Sequence, residues 1–346
     1  MKNDLWGHLQ PQNDLWGHLY PSLAEAVKAI FGENRHVAKK TPISGGDIND
    51  AYALTLDDGT ILFMKSNTVS SLANFRAEAA GLEAIRATGA IGVPAVLGMG
   101  TDKGFSFLLL EYIRGSSRIR NYWEMFAAQL AEMHRADVPS RVDIPDRADV
   151  PDIANAPSRA DVPNIANALE NKGKEYGFSE DNWIGARKQL NTPHSEWIPF
   201  FRDCRLAPQL QSARSYFSGE DLNRAEYILA NLDRYLVEPE KPSLVHGDLW
   251  SGNMITGDDG KGWLIDPAVY YGHPEVDIAM TELFGGFPRA FYEAYKEAGR
   301  LQPGYEDRKD LYNLYQLLNH LNMFGRGYLP EVRWILAKYG KRNTNR

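Results

Sequence analysis

Between Arg135 and Glu170 the chain repeats itself in short phrases, RADVPS, RVDIPD, RADVPDIANAPS and RADVPNIANALE, with prolines at 139, 145, 151, 157 and 163. Proline lacks the N–H that a helix interior or a central strand needs, and its ring clashes with the preceding turn. Neither element can therefore run through this stretch. The period is also far too short for a solenoid unit with its own core. Repeated Pro/Asp segments are linkers more often than binding sites, so the array reads as an extended surface loop added to a complete scaffold. A second duplication, NDLWGHL at 3–9 and again at 13–19, reads as another addition. Whatever fold forms must be built from the residues on either side of the array.

Those residues suffice for two lobes, each with a core, in a chain of 346. Hydrophobic residues make up 43% and charged ones 24%, an ordinary globular composition. A net charge of -7 argues against nucleic-acid or anionic-membrane partners, which need a basic surface. A bound polyanion would have to find a local positive site. The single cysteine, Cys204, rules out an intrachain disulfide and makes a structural zinc site a poor expectation. No apolar run approaches the roughly 20 residues that span a bilayer, and MKNDLWGHLQ lacks the apolar segment of a secretory signal. The expectation is a cytoplasmic protein; its oligomeric state is left open.

Outside the repeats the pattern shifts along the chain. Residues 43–65 read as a glycine-punctuated hairpin, with a turn at DDGT before ILFMKS. Residues 70–88 read as a helix, with Leu72, Phe75, Ala79, Leu82 and Ile85 at spacings of three and four. GFSFLLLEYIRG (104–115) reads as a buried strand, NYWEMFAAQLAEMH (121–134) as a helix, and the rest as helix around a strand pair near 244–266. The expected fold class is therefore α+β and two-lobed, with a β-rich N-lobe over 21–113 and a mostly helical C-lobe over 114–346. The duplicated segment 1–20 precedes them, the insertion 135–170 interrupts the C-lobe, and a cleft is expected near 111–116.

The chemistry concentrates in LVHGDLWSGNMI (244–255) and GWLIDPA (262–268). Pairing of these strands would bring Asp248, Asn253 and Asp266 to one end of a hairpin. Asn253 and Asp266 offer oxygen donors that suit Mg²⁺, which takes few protein ligands and keeps several waters. Asp248 is then free to orient a hydroxyl nucleophile or accept its proton, as phosphoryl transfer requires. The spacing Asp-x4-Asn equals that of the protein-kinase catalytic loop, with His246 at the position of that loop's histidine. Each residue also has a local reading: Asp248 as a helix cap, Asn253 as a turn residue, Asp266 as a strand end. Upstream, Lys65 on ILFMK can pair with Glu78 on the next helix and with ATP phosphates, or else be a strand-end lysine at the surface. Gly45 and Gly46 in SGGDIND can bring backbone N–H groups to phosphate oxygens, or simply make a turn. Glu111, Tyr112 and Ile113 in LLEYI form a hinge whose backbone can bond an adenine edge.

HGDLWSGN, DPAVYYGH with Asp277 after it, DNWIG, FFRDCRLAPQL and LYNLYQLLNHLNMFGRGY together resemble the fructosamine-3-kinase and ketosamine-3-kinase family, over about residues 20–134 and 176–330. The resemblance implies a protein-kinase-like fold. It also implies an activity: use of ATP to phosphorylate the sugar 3-hydroxyl of free or protein-bound ketosamines, whose unstable 3-phosphate then leaves in deglycation repair. By motif, Asp248 is similar to the family's base, Asn253 and Asp266 to its metal ligands, and Lys65 and Glu78 to its nucleotide-positioning pair. Trp250 is similar to its sugar-packing residue, although a core tryptophan is the competing reading. Three positions depart from the family pattern. Asp47 stands where many members have cysteine, Arg187 and Lys188 replace a Thr-Pro pair, and Pro274 replaces an arginine. The alternatives are a kinase for another small hydroxylated amine, aminoglycoside- or choline-like, and an inactive nucleotide-binding module.

The array has few apolar side chains with which to offset its ordering entropy, and lengthening a surface loop costs only about 0.6 kcal/mol per doubling. Deleting residues 141–164 should leave the melting temperature within about 2 °C and kcat/KM within about twofold of the full chain. Calorimetry and steady-state assay of the deletion variant check this; lost activity would show that the array serves the reaction.

Overall fold

The computed structural model describes residues 18–44, 48–137, 175–299 and 301–341. Gly45, Gly46 and Asp47, the NDLWGHL copy before His18 and the array beyond Asp137 lie outside the described residues. Two compact units form. One holds residues 18–44, 48–84 and 94–114; the other holds 85–93, 115–137, 175–299 and 301–341.

The first unit contains β1 (Leu19–Tyr20), α1 (Leu23–Phe31), β2 (Val37–Ile43), β3 (Asp50–Leu56), β4 (Ile61–Thr68), most of α2 (Leu72–Ala87), β5 (Val96–Asp102) and β6 (Phe105–Glu111). The strands form one sheet in the order β1-β5-β6-β4-β3-β2, antiparallel except where β1 runs parallel to β5. Alternation decides what each face holds. Leu54 and Leu56, Leu62 and Met64, and Phe107 and Leu109 share one buried face and pack with Ala26 and Val27 of α1. Lys65 is one residue out of phase with Leu62 and Met64 and so lies on the opposite face with Ile61 and Phe63. The helical spacing expected upstream of Ala87 is realised in α2, where Phe75, Ala79, Leu82 and Ile85 are buried. β6 stops at Glu111 rather than reaching Gly115, because Glu111 pairs with Leu62 and β4 begins one residue earlier.

The second unit contains α3 (Tyr122–Arg135), the hairpin β7 (Asn182–Ile184) and β8 (Arg187–Gln189), α4 (Trp197–Phe200), α5 (Ala207–Ser212) and α6 (Gly219–Ala230). The short strands β9 (Ser243–Val245), β10 (Met254–Thr256), β11 (Gly262–Leu264) and β12 (Tyr270–Gly272) follow, then α7 (Glu275–Leu283), α8 (Arg289–Glu297), α9 (Tyr305–Phe324) and α10 (Leu329–Tyr339). Here the expected strand pairing is corrected. β10 and β11 form a hairpin, but β9 pairs with β12, Val245 opposite Tyr270, so the polar loop 246–253 joins two separate ribbons. The β7–β8 hairpin stands where only helix was expected.

α7 and α9 are buried, and a buried helix carrying charges must pair them. Glu275, in the first turn of α7, is fully buried and takes both prongs of Arg308 from α9, Nε at 2.7 Å and Nη2 at 2.6 Å. The Gln302 N–H donates a third bond to Glu275 at 3.0 Å. Removing one charge strands the other, so Glu275→Gln should cost about 3–5 kcal/mol of unfolding free energy. Urea denaturation measures this. A loss under about 1 kcal/mol would mean that Arg308 finds another partner.

Candidate active site

The loop after β9 is built around backbone bonds. The His246 and Gly247 N–H groups donate to the two carboxylate oxygens of Asp277 at 2.7 and 2.9 Å. The His246 carbonyl accepts from the Ala268 N–H at 2.9 Å, and the Gly247 carbonyl from Gln316 Nε2 at 2.8 Å. Gly247 has φ +81°, and a Cβ there would meet the Ala268 carbonyl oxygen at 2.1 Å, so only glycine fits. The His246 ring then ties the two halves of the site together. Its Nε2 lies 2.9 Å from the Ile265 carbonyl, which can only accept, and its Nδ1 lies 3.3 Å from the Asp248 N–H, which can only donate. Both bonds need the neutral ring protonated on Nε2. Burial, which pushes its pKa down, favours that form.

Asp248 is held by the amide two turns on. Asn253 Nδ2 donates to the Asp248 carbonyl at 2.8 Å and to Oδ2 of its carboxylate at 2.9 Å. Part of Asp248 reaches the surface, yet protein encloses it closely enough that burial pushes its carboxyl up to about 7. The bond from Asn253 opposes that rise, and the negative fields of Asp266 and Asp277 add to it. Because both acceptors of the Asn253 amide nitrogen are fixed, its Oδ1 is the atom left for another partner. Ile265 N–H donates to the Asn253 carbonyl at 3.1 Å, which brings Asp266 to the Asn253 end of the β10–β11 hairpin. Asp266 has φ +55°, one of two non-glycine residues in the left-handed region among the described residues. Such strain clusters at functional positions. Among the described residues no group of three or more His, Cys, Asp or Glu side chains is arranged to hold a metal. A cation here would draw on the amide oxygen of Asn253, the Asp266 carboxylate and non-protein oxygens, a donor set that fits Mg²⁺.

Trp250 is not in the core: it is 37% exposed, its ring lies against Gly252, and it meets Phe284 edge-on at 6.3 Å. In the first unit, Lys65 Nζ lies 2.6 Å from Glu78 Oε1 and both side chains are largely buried. Glu111 Oε2 accepts from the Ala95 N–H at 3.1 Å, fixing the end of β6, and half-buried Tyr112 and Ile113 follow without regular structure. The reading of Asp248 as a helix cap does not describe the bonds observed: the turn over Ser251–Asn253 is capped at Trp250, and the Asp248 carboxylate bonds Asn253.

Five residues that the geometry makes central have no role in the sequence pattern. Asp277, Gln316 and His134 hold the loop directly or through one another; His134 Nε2 bonds Asp277 at 3.1 Å and its Nδ1 bonds Tyr295 at 2.6 Å. Gln189 Nε2 bonds the Ala268 carbonyl at 3.0 Å, and Asn182 beside it bonds that of Val269 at 2.7 Å, so the β7–β8 hairpin latches the segment after Asp266. An acid set between apolar neighbours, such as Asp277 between Val276 and Ile278 in EVDIAMTEL, was the available signal. Of the departures from the family pattern, Arg187 bonds Ser212 at 2.7 Å, Lys188 pairs with Asp181 at 3.0 Å, and Pro274 caps α7. Cys204 is buried, and burial pushes its thiol pKa up.

The chain matches the fructosamine kinase family over residues 19–142 and 162–342. A chloroplastic protein-ribulosamine 3-kinase of Arabidopsis thaliana is 34% identical over 311 residues, 89% of this chain and 84% of that one. A crystal structure from Haemophilus somnus, whose protein carries the provisional name fructosamine-3-kinase, has a TM-score of 0.74 and 29% identity over 92% of this chain and 96% of its own. A type I macrolide 2′-phosphotransferase shares the fold alone, with a TM-score of 0.53 and 15% identity over 93% and 96%. The two-lobed α+β architecture is therefore protein-kinase-like, and the chain belongs to the fructosamine kinase family.

Proposed function

We propose that this protein is an ATP- and Mg²⁺-dependent kinase that phosphorylates the sugar 3-hydroxyl of ketosamines, free or protein-bound, as a step in deglycation. Membership of the family makes it a phosphotransferase acting on a sugar hydroxyl of a ketosamine. One observation carries the finer reading: Asn253 bonds the Asp248 carboxylate through its amide nitrogen, and its carbonyl accepts from Ile265, which brings Asp266 to the same end of the β10–β11 hairpin. ATP would supply the γ-phosphoryl group and Mg²⁺ would balance its charge. Asn253 and Asp266 would hold the metal. Asp248 would orient the 3-hydroxyl and take its proton as the O–P bond forms, and a pKa raised by burial suits that exchange. Lys65, held in place by Glu78, would bind nucleotide phosphates, with the backbones of Gly45 and Gly46 as further donors. Glu111, Tyr112 and Ile113 would receive the adenine. Trp250 would pack its exposed face on sugar C–H groups. Residues 21–113 would thus serve ATP and 114–346 catalysis and the acceptor.

The alternatives are not favoured. The family match spans nearly the whole chain outside the array, whereas the macrolide phosphotransferase shares only the fold. An inactive module would have no need of the Lys65–Glu78 pair and the Asp248–Asn253 pair together. No helix among the described residues is long and apolar enough to cross a membrane. A single buried cysteine suits a reducing compartment, and on that ground the cytoplasm is the proposed location.

ATP consumption with fructosamine, ribulosamine and erythrulosamine acceptors tests the reading, and turnover of none would overturn it. Asp248→Asn should bind ATP normally while losing about 10²- to 10⁴-fold in kcat. Retention of more than about a tenth of kcat would remove Asp248 from its role. Asp266→Ala should raise the Mg²⁺ concentration needed for half-maximal ATP binding by about tenfold or more, at little cost in melting temperature. An unchanged Mg²⁺ titration would argue against a ligand role.

A further inference from the structure

Several aromatics of this protein carry one of its own cations over the ring. Lys40 lies 3.7 Å from the ring centre of Tyr52, Arg118 4.7 and 5.0 Å from those of Tyr122 and Trp123, and Lys338 5.2 Å from that of Trp334. A row of rings that starts at Trp250 differs. Trp250 meets Phe284 at 6.3 Å, Phe284 meets His320 at 4.9 Å, and His320 meets Phe324 and Tyr328 at 5.6 and 5.1 Å. No lysine or arginine among the described residues stands over any of these five rings; Arg326, two residues after Phe324, lies instead over Tyr216 at 5.5 Å.

The row is built from three elements of the second unit: the end of α7 supplies Phe284, the last turns of α9 supply His320 and Phe324, and the turn beyond supplies Tyr328. It begins two residues from Asp248 and ends at the surface, where Phe324 is 52% exposed. His320 Nδ1 donates to the Gln316 carbonyl at 2.9 Å, and burial pushes its pKa down, so the ring is neutral and leaves Nε2 as an acceptor. An uncharged π surface with no resident cation attracts an external one, and its apolar area attracts an alkyl chain. A polyanion such as a nucleotide finds no cation over these rings to receive it.

We propose that the part of this row beyond Trp250, Phe284–His320–Phe324–Tyr328, seats the amine-bearing half of the acceptor, the protonated secondary amine of the ketosamine and the alkyl carrier attached to it. This rests on the ketosamine-kinase reading above. With the sugar at Trp250 beside Asp248, the amine follows along Phe284 and His320, and the carrier reaches Phe324. The row then decides which amines are accepted rather than whether phosphoryl transfer occurs.

The test uses the fructose adducts of hexylamine and methylamine as acceptors for the full chain. Phe324→Ala should raise KM for the hexylamine adduct about five- to tenfold and for the methylamine adduct less than about twofold. Phe324→Trp should restore the difference, and Trp334→Ala, a similarly exposed ring on α10, should change neither KM. An equal shift for both adducts, or none for either, would overturn the proposal, since a general packing defect moves both alike. Wild-type protein that turns over neither adduct would overturn the ketosamine reading and the carrier seat with it, a result visible before any variant is compared.

Discussion

The carboxylate of Asp277 fixes the loop that carries Asp248. It sits fully buried in the first turn of α7 and accepts three bonds, from the His246 and Gly247 N–H groups and from His134. A buried charge is tolerable only when its oxygens are filled, and backbone N–H groups fill them with no side-chain entropy to lose. The consequence runs outward. With its amides committed to Asp277, the loop presents Asp248 at a set angle, and the His246 ring then ties Asp248 to Ile265 and so to Asp266. α7 itself is pinned by the Glu275–Arg308 pair two residues earlier.

The protein handles its buried charges in two ways. Glu275 and Lys65 each face a partner of opposite sign within 2.6 Å, which offsets the cost of burying the charge. Asp248 is bonded by the Asn253 amide rather than by a cation; burial, and after it the fields of Asp266 and Asp277, hold its proton far more tightly than in water. The first arrangement gives rigidity, because two opposite charges in contact can anchor a helix or orient a lysine. The second gives a group that can change state. Arg205 shows a third way: buried without a carboxylate among the described residues, it bonds the Cys204 carbonyl and Asn191, and stacks 3.9 Å above Tyr270. The carbonyl dipoles and the π electrons of Tyr270, which lies in the segment that follows Asp266, spread its charge.

Local pattern exposed some of this and hid the rest. The helix over Leu72–Ala87 and the hairpin of β3 and β4 were legible because each buries one face at a regular period. Asp248, Asn253 and Asp266 were legible as a set because polar residues between apolar strands have few structural uses. The partner strand of β9 was not legible: Val245 pairs with Tyr270 across the whole β10–β11 hairpin, and three-residue strands carry no period that could announce it. β1, β2 and β5 escaped for related reasons, since β2 has the edge position and its KKT centre alternates little. Asp277 and Gln316 act through contacts 30 and 69 residues away, information that exists only after folding.

The place where the proline array begins follows the same logic. His134 ends the buried part of α3 with both ring nitrogens bonded, to Asp277 and Tyr295, and Arg135 follows at once at the surface. There Arg135 Nη1 donates to the Ala298 carbonyl at 3.1 Å, and Lys241 bonds the Arg135 carbonyl and Asp137 at 3.0 and 2.8 Å. The exposed ion pair at Asp137 is worth little. The division is made one turn earlier. A histidine locked between a buried carboxylate and a buried phenol cannot follow a displacement of the chain after it without breaking two bonds in a dry interior, each costing more than any surface loop exerts. His134 therefore separates the array from the network that it shares with Asp277, and a long repetitive insertion can begin one residue away from a bond on which the Asp248 loop depends.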